Sequence, residues 1–239
     1  MPAKAEQLAP LVAIVGCDGS GKSTVSEAVL GWVSRYGPTD TAHLGLRSGD
    51  AGRAIKRLPL VGIASERFLT KKAGRARDTK DKIPDPITAL VIYIFSVFRI
   101  RRFKAMMDKR RKGVIIVTDR YPQTEVPGFY DGPGLSAARA EGWFTRMLAR
   151  RERKQYEWMA SYVPDLVIRL NVDLETAFAR KPDHKYESLR QKVEATPKLR
   201  FNGARIVDLS STDPLPTVIA QAEAAIGEML ESKGFSAKG

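Results

Sequence analysis

The stretch GCDGSGKST, Gly16 to Thr24, follows the apolar run LVAIV (Leu11–Val15) and leads into a segment with helical spacing. It completes the pattern G-x-x-x-x-G-K-[ST] in the strand-to-helix setting which that pattern requires. Glycines there let successive backbone N–H groups turn toward one point, and the helix N-terminus adds its positive dipole end. In such a loop Lys22 reaches the β- and γ-phosphates of a nucleoside triphosphate, and Ser23 holds Mg2+ through its hydroxyl. Gly16, Gly19, Ser20, Gly21, Lys22, Ser23 and Thr24 are thus expected to cradle ATP. A glycine-rich turn without a ligand is the bland alternative, and the complete motif in context disfavours it.

Working outward, short runs rich in Val, Ile and Leu predict strands at Leu11–Val15, Thr41–Leu46, Val114–Thr118, Leu166–Asn171 and Arg205–Leu209. Near-continuous apolar runs such as VIIV fit strands buried on both faces of a parallel sheet. Helical patterns fill the intervals: Lys22–Arg35, about 86–111, about 134–161 and Pro214–Leu230. Strand alternating with helix implies an α/β fold, a five-stranded parallel sheet flanked by helices on both faces, as one domain over 1–239. Ligands of such sheets bind beyond the carboxyl ends of the strands. Residues 47–86 break the alternation, carrying Arg53, Lys56, Arg57, Arg67, Lys71, Lys72, Arg75, Arg77, Lys80 and Lys82 among turn signals. They read as a basic insertion on the sheet edge.

Charge and cysteine narrow the setting. Lys and Arg exceed Asp and Glu by 40 to 27, a net charge of +13 that favours anionic partners: nucleotides, nucleic acid or an anionic membrane surface. The apolar run at 87–98 is too short to span a bilayer and reads as a buried helix. The run from Leu8 to Val15 reads as a first strand, not as a signal peptide. With Cys17 the single cysteine, no internal disulfide can form, and a reducing cytoplasm is the expected location.

A second motif narrows the chemistry. VIIVTDRY, 114–121, is an apolar strand ending in Asp119, the place of a Walker-B-type carboxylate beside the metal. Motor ATPases follow that aspartate with a second acid that activates water; here Arg120 follows it. An arginine beside the phosphates suits a second anionic group held in bidentate fashion. An ion pair or helix cap at the strand end is the structural alternative for both residues. No Asn-Lys-x-Asp occurs in the chain, which argues against a guanine-reading switch.

Taken in order, GCDGSGKST, DRY at 119–121, PDLVIRLNVDLETAFAR at 164–180 and DLSSTDPL at 208–215 resemble the thymidylate kinase family of the P-loop nucleoside monophosphate kinases. That resemblance implies a P-loop kinase fold, MgATP as phosphoryl donor and thymidylate as the foremost acceptor. It also implies that Phe95 and Arg99, four residues apart on one helix face, grip the acceptor's base. By the same resemblance Asp18 touches the acceptor sugar, and Arg47 and Arg120 face its phosphate. Gly19 stands where some members carry an arginine that assists transfer. Members without it draw the charge from a lid, here 180–192, with Arg180, Lys181, Lys185 and Arg190 as the cations; Arg180 and Arg190 join Lys22 and Asp119 as expected catalytic residues. Ser23 and Asp119 are the expected metal residues. His184 reads as a surface residue, because transfer to an existing phosphate needs no base.

Departures fall on the acceptor side. PQTEVPGFYDGPG, 122–134, replaces the family's Ser/Asn-rich stretch, and LRSGD, 46–50, replaces its Arg-Glu-Pro-Gly, with Arg47 alone matching. A kinase of another small molecule, a sugar or a glycan or lipid precursor, therefore stays open; a hydroxyl acceptor would need a base, Asp18 or Asp119. A non-catalytic nucleotide- or nucleic-acid-binding module built on RIRRFK (99–104) and KRRK (109–112) is the third reading. Phe103 is the single aromatic interleaved there, so nucleic acid is disfavoured as a partner. The partners expected are a small-molecule phosphate acceptor and a second copy of the chain as a homodimer, with contact to an anionic surface left open.

Overall fold

The computed structural model describes residues 8–45, 86–128, 131–137 and 142–238. Arg47 and nearly all of the basic segment 47–86 lie outside the described residues. Contacts divide the chain into two compact units: Met1–Leu44 with Arg102–Tyr121 and Val163–Gly239, and Gly45–Arg101 with Pro122–Tyr162.

The first unit holds a parallel sheet of strands β1 (Leu11–Gly16), β2 (Thr39–Ala42), β3 (Ile115–Thr118), β4 (Leu166–Asn171) and β5 (Ile206–Ser210), in the order β2-β3-β1-β4-β5. Every residue of β1, β3 and most of β4 is buried, which is why these strands read as unbroken apolar runs. One face of the sheet (Val12, Ile14, Ile115, Val117, Ile168) packs on Val25, Val29 and Val33 of α1 (Lys22–Val33) and on Val218, Ala222, Ile226 and Leu230 of α6 (Leu215–Ser232). Alternation puts Leu11, Ala13 and Ile116 on the other face, and all three are fully buried. At ~1.5–3 kcal/mol for each large aliphatic side chain removed from water, this sandwich is the main stabilising term of the unit.

Helix α2 (Pro86–Arg111) starts in the second unit and ends in the first, where Phe103, Met106 and Met107 are fully buried. Helix α3 (Trp143–Ala160) belongs to the second unit; α4 (Leu174–Arg180) and α5 (Tyr186–Ala195) follow β4 in the first. In the second unit, Ala89, Leu135 and Leu148 form an apolar cluster with Leu90, Ile92 and Phe144. Beside it Glu152, with no exposed surface, accepts hydrogen bonds from the Ser96 hydroxyl at 2.6 Å and the Leu135 N–H at 2.7 Å. No helix among the described residues is long and apolar enough to cross a membrane.

Two boundaries differ from the sequence reading. β2 runs Thr39–Ala42, two residues earlier than expected, and the helix expected over about 134–161 begins at Trp143. β2 is an edge strand of four half-exposed residues, TDTA, so no apolar run marks it.

Candidate phosphate-binding site

The loop from β1 to α1 owes its shape to its glycines. Gly16 has φ 156°, and a Cβ there would stand 2.4 Å from Ser20 Oγ and 2.7 Å from the Leu170 carbonyl. At Gly19, φ 86°, a Cβ would meet the Ala177 carbonyl oxygen at 2.8 Å. An arginine at that position, as some members of the resembling family carry, would therefore need both a strained backbone and a displaced helix α4.

Helix α1 starts at Gly21 with no side-chain cap, leaving the N–H groups of its first turn to a ligand. The contrast with α4 is instructive, since there Asp173 caps the helix by accepting from the Thr176 N–H at 2.8 Å. Lys22 donates from Nζ to the Cys17 carbonyl at 2.6 Å, so its ammonium lies over the loop. Ser23 and Thr24 are exposed at the start of the same helix.

Cations from distant parts of the chain reach the same loop. Lys192 of α5 forms an ion pair with Asp18, and Arg120, just beyond β3, stands 4.0 Å from the same carboxylate. Arg180, the last residue of α4, donates to the Gly19 carbonyl at 3.1 Å and to the Ser211 carbonyl at 3.0 Å. His184 Nε2 lies 3.6 Å from Asp18, so the histidine read as a surface residue belongs to this cluster. Burial pushes the Asp18 carboxyl up, but Lys192, then Lys22 and Arg120, outweigh it and hold the group below the usual carboxylate range.

Asp119 stands at the end of β3 as expected, and His43 Nδ1 lies 2.8 Å and 2.9 Å from its two oxygens. Burial raises the Asp119 carboxyl, the hydrogen bond from His43 lowers it, and the net shift is downward. Sequence reading placed His43 inside the strand Thr41–Leu46. Because β2 ends at Ala42, His43 instead stands just past the strand's carboxyl end, where ligands of such sheets bind. His43, His184 and Lys192 are the residues of this cluster that the sequence reading did not place there.

Three further expected site residues have partners of their own. Arg190 is exposed on α5, with its guanidinium bound to Glu187 at 2.7 Å and Glu194 at 3.2 Å of its own helix; Lys192 is the cation of this segment that reaches the loop. Arg99 is buried in the second unit, where it donates to Asp131 Oδ1 at 2.7 Å and to the Asp131 carbonyl at 2.9 Å and lies 5.6 Å from the Tyr156 ring centroid. That guanidinium is paired with a carboxylate of its own unit. Phe95 packs against Val91 in that unit, the apolar-helix role that competed with acceptor stacking.

Cys17 is a buried free thiol inside the loop, and burial pushes its pKa up, with Lys22 pulling weakly the other way. The thiolate that reacts with alkylating agents is therefore scarce at neutral pH. Maleimide labelling of the folded protein at pH 7 is expected to run about 100-fold slower than that of an open thiol. Urea should abolish the difference; labelling of the folded protein at the open-thiol rate would contradict this environment.

A phosphate loop between the first strand and its helix, an acid-arginine pair just past the neighbouring strand and a cationic segment after the fourth strand define an α/β protein of the P-loop class. The chain is 44% identical over 217 residues to the Escherichia coli K12 protein YghS, an uncharacterized ATP-binding protein, covering 90% of this chain and 92% of that one. It is 42% identical over 217 residues to YghR of the same organism, described in the same words, with 90% of this chain and 86% of that one covered. The chain belongs to the family of YghS and YghR. No family model matches it. Among solved structures, a deoxyadenosine kinase from M. mycoides with bound dATP gives a TM-score of 0.49 at 13% identity, over 90% of this chain and 98% of that one.

Proposed function

We propose that this protein transfers the γ-phosphoryl group of ATP to a small-molecule acceptor. The observation that carries the reading is the convergence of Lys22, Arg120, Lys192 and Arg180 on Cys17, Asp18 and Gly19 of the phosphate loop. Charge spread over a transferring phosphoryl group is stabilised by cations already in place, and little else is asked of the protein. ATP as the donor agrees with the naming of YghS and YghR as ATP-binding proteins.

The Ser23 hydroxyl and the Asp119 carboxylate form a hard oxygen pair that suits Mg2+, and Mg2+ bound there would neutralise phosphate charge. Among the described residues no three His, Cys, Asp or Glu side chains gather to hold a metal, which fits a cation whose remaining ligands are phosphate oxygens and water. Asp119 stays charged for that role because His43 holds its carboxyl down.

A nucleoside monophosphate, thymidylate foremost, is the acceptor implied by the resemblance in sequence. In that reading Arg120 takes the acceptor phosphate, and Asp18, released from Lys192 as the lid cation turns to the γ-phosphate, takes its sugar. A second reading rests on His43. With Nδ1–H donated to Asp119, Nε2 is the nitrogen left to accept a proton, so an acceptor hydroxyl could lose its proton there as its oxygen bonds to the γ-phosphorus and ADP leaves. The two readings separate in a panel of acceptors with MgATP, followed by ADP release. Turnover with thymidylate, unchanged within about threefold by His43→Gln, supports the monophosphate acceptor. Turnover with hydroxyl compounds alone, falling about 10²–10³-fold in His43→Gln, supports the second reading.

A further inference from the structure

One face of α3 carries positive charge that acids among the described residues leave largely unpaired. Trp143, Arg146, Arg150, Arg153 and Glu157, three or four residues apart, lie along one side of the helix. Arg151 and Lys154 flank that line, and all seven are exposed, Trp143 to 73%. Thr145, Leu148, Glu152, Tyr156 and Met159 on the opposite side are buried, so packing fixes which face meets solvent. The single acid, Glu157, pairs with Arg153 at 2.8 Å. Among the described residues no acid lies within ion-pair distance of Arg146, Arg150, Arg151 or Lys154.

We propose that this face docks the protein onto a membrane rich in anionic phospholipid. Like charges at i,i+4, as Arg146–Arg150 and Arg150–Lys154 are, weaken a helix, and an apposed anionic surface turns that repulsion into attraction. From Trp143 to Lys154 the line is about 17 Å long and straight, which suits a plane. The same side chains line an open depression of about 760 Å3. At one end of the line the exposed Trp143 offers the amphipathic ring favoured at the boundary between headgroups and acyl chains. Nucleic acid fits less well: a single-strand platform needs aromatics between the cations, where this line has one, at its end. The proposal is independent of the phosphoryl-transfer reading.

The test is co-sedimentation of the full chain with phosphatidylcholine vesicles, with or without about 30 mol% phosphatidylserine, at low and at high salt. Binding is expected with phosphatidylserine alone and is lost as salt rises to about 0.5 M. The triple variant Arg146→Gln, Arg150→Gln, Lys154→Gln should bind about 100-fold more weakly while melting at the same temperature. Trp143→Ala should bind about tenfold more weakly. Lys22→Ala should bind as the native chain does. No binding to charged vesicles, equal binding to neutral ones, or full binding by the triple variant would overturn the proposal. So would tighter binding to single-stranded DNA that is lost in the same triple variant, which would assign the face to nucleic acid.

Discussion

Lys22→Ala should lower ADP formation by about 10³-fold, while the protein keeps its circular dichroism spectrum and its melting temperature within a few degrees. The size follows from the role proposed for Lys22: its ammonium lies over the loop at 2.6 Å from the Cys17 carbonyl, where phosphate oxygens would gather charge during transfer. The loop backbone persists without it, because the conformations of Gly16, Gly19 and Gly21 and the packing of Val25, Val29 and Val33 do not depend on the lysine. Affinity for ATP should weaken far less than turnover does, since the uncapped N-terminus of α1 still offers its N–H groups. Turnover retained within about tenfold would place the chemistry away from this loop.

Arg99→Ala should act on stability rather than on acceptor recognition. Arg99 and Asp131 form a buried pair with side chains 5% and 10% exposed, and removing one partner deprives the other of its buried counter-charge. The expected cost is ~3–5 kcal/mol, read as a lower urea midpoint. Asp131→Asn should lose less, because asparagine keeps an acceptor oxygen and tolerates the backbone φ of 61° at that position. Arg99→Met combined with Asp131→Asn should recover part of the loss, since the double variant buries no uncompensated charge. A raised KM for the acceptor at unchanged stability would instead return Arg99 to the role implied by the resemblance.

Much of the sheet and the phosphate loop was legible in the sequence because both are written locally. β1, β3 and β4 are buried on both faces, so burial itself produces the apolar runs that mark them. The loop follows from glycine spacing, lysine and serine within nine residues, Gly16 to Thr24. Edge strand β2 has no such record, and its end, four residues earlier than expected, concealed His43 within a strand. Long-range ion pairs leave no periodic trace either. Asp18 meets Lys192 from 174 residues away, and Arg99 meets Asp131 from 32, so the resemblance that named Arg190 and Arg99 as site cations carried no sign of these pairings. Arg180 came to hand from its place at the end of a helix after β4, and the structure sets it on the Gly19 carbonyl. The Arg47 expectation lies outside the described residues.

The account turns on whether the γ-phosphoryl group leaves ATP for an acceptor other than water. Following the γ-phosphorus by 31P NMR, with MgATP and the acceptor panel in one reaction, tests this directly. The expected result is a new phosphorylated product in amounts equal to the ADP formed, absent with Lys22→Ala. ATP bound but unconsumed with every acceptor, or inorganic phosphate as the sole product, would contradict phosphoryl transfer.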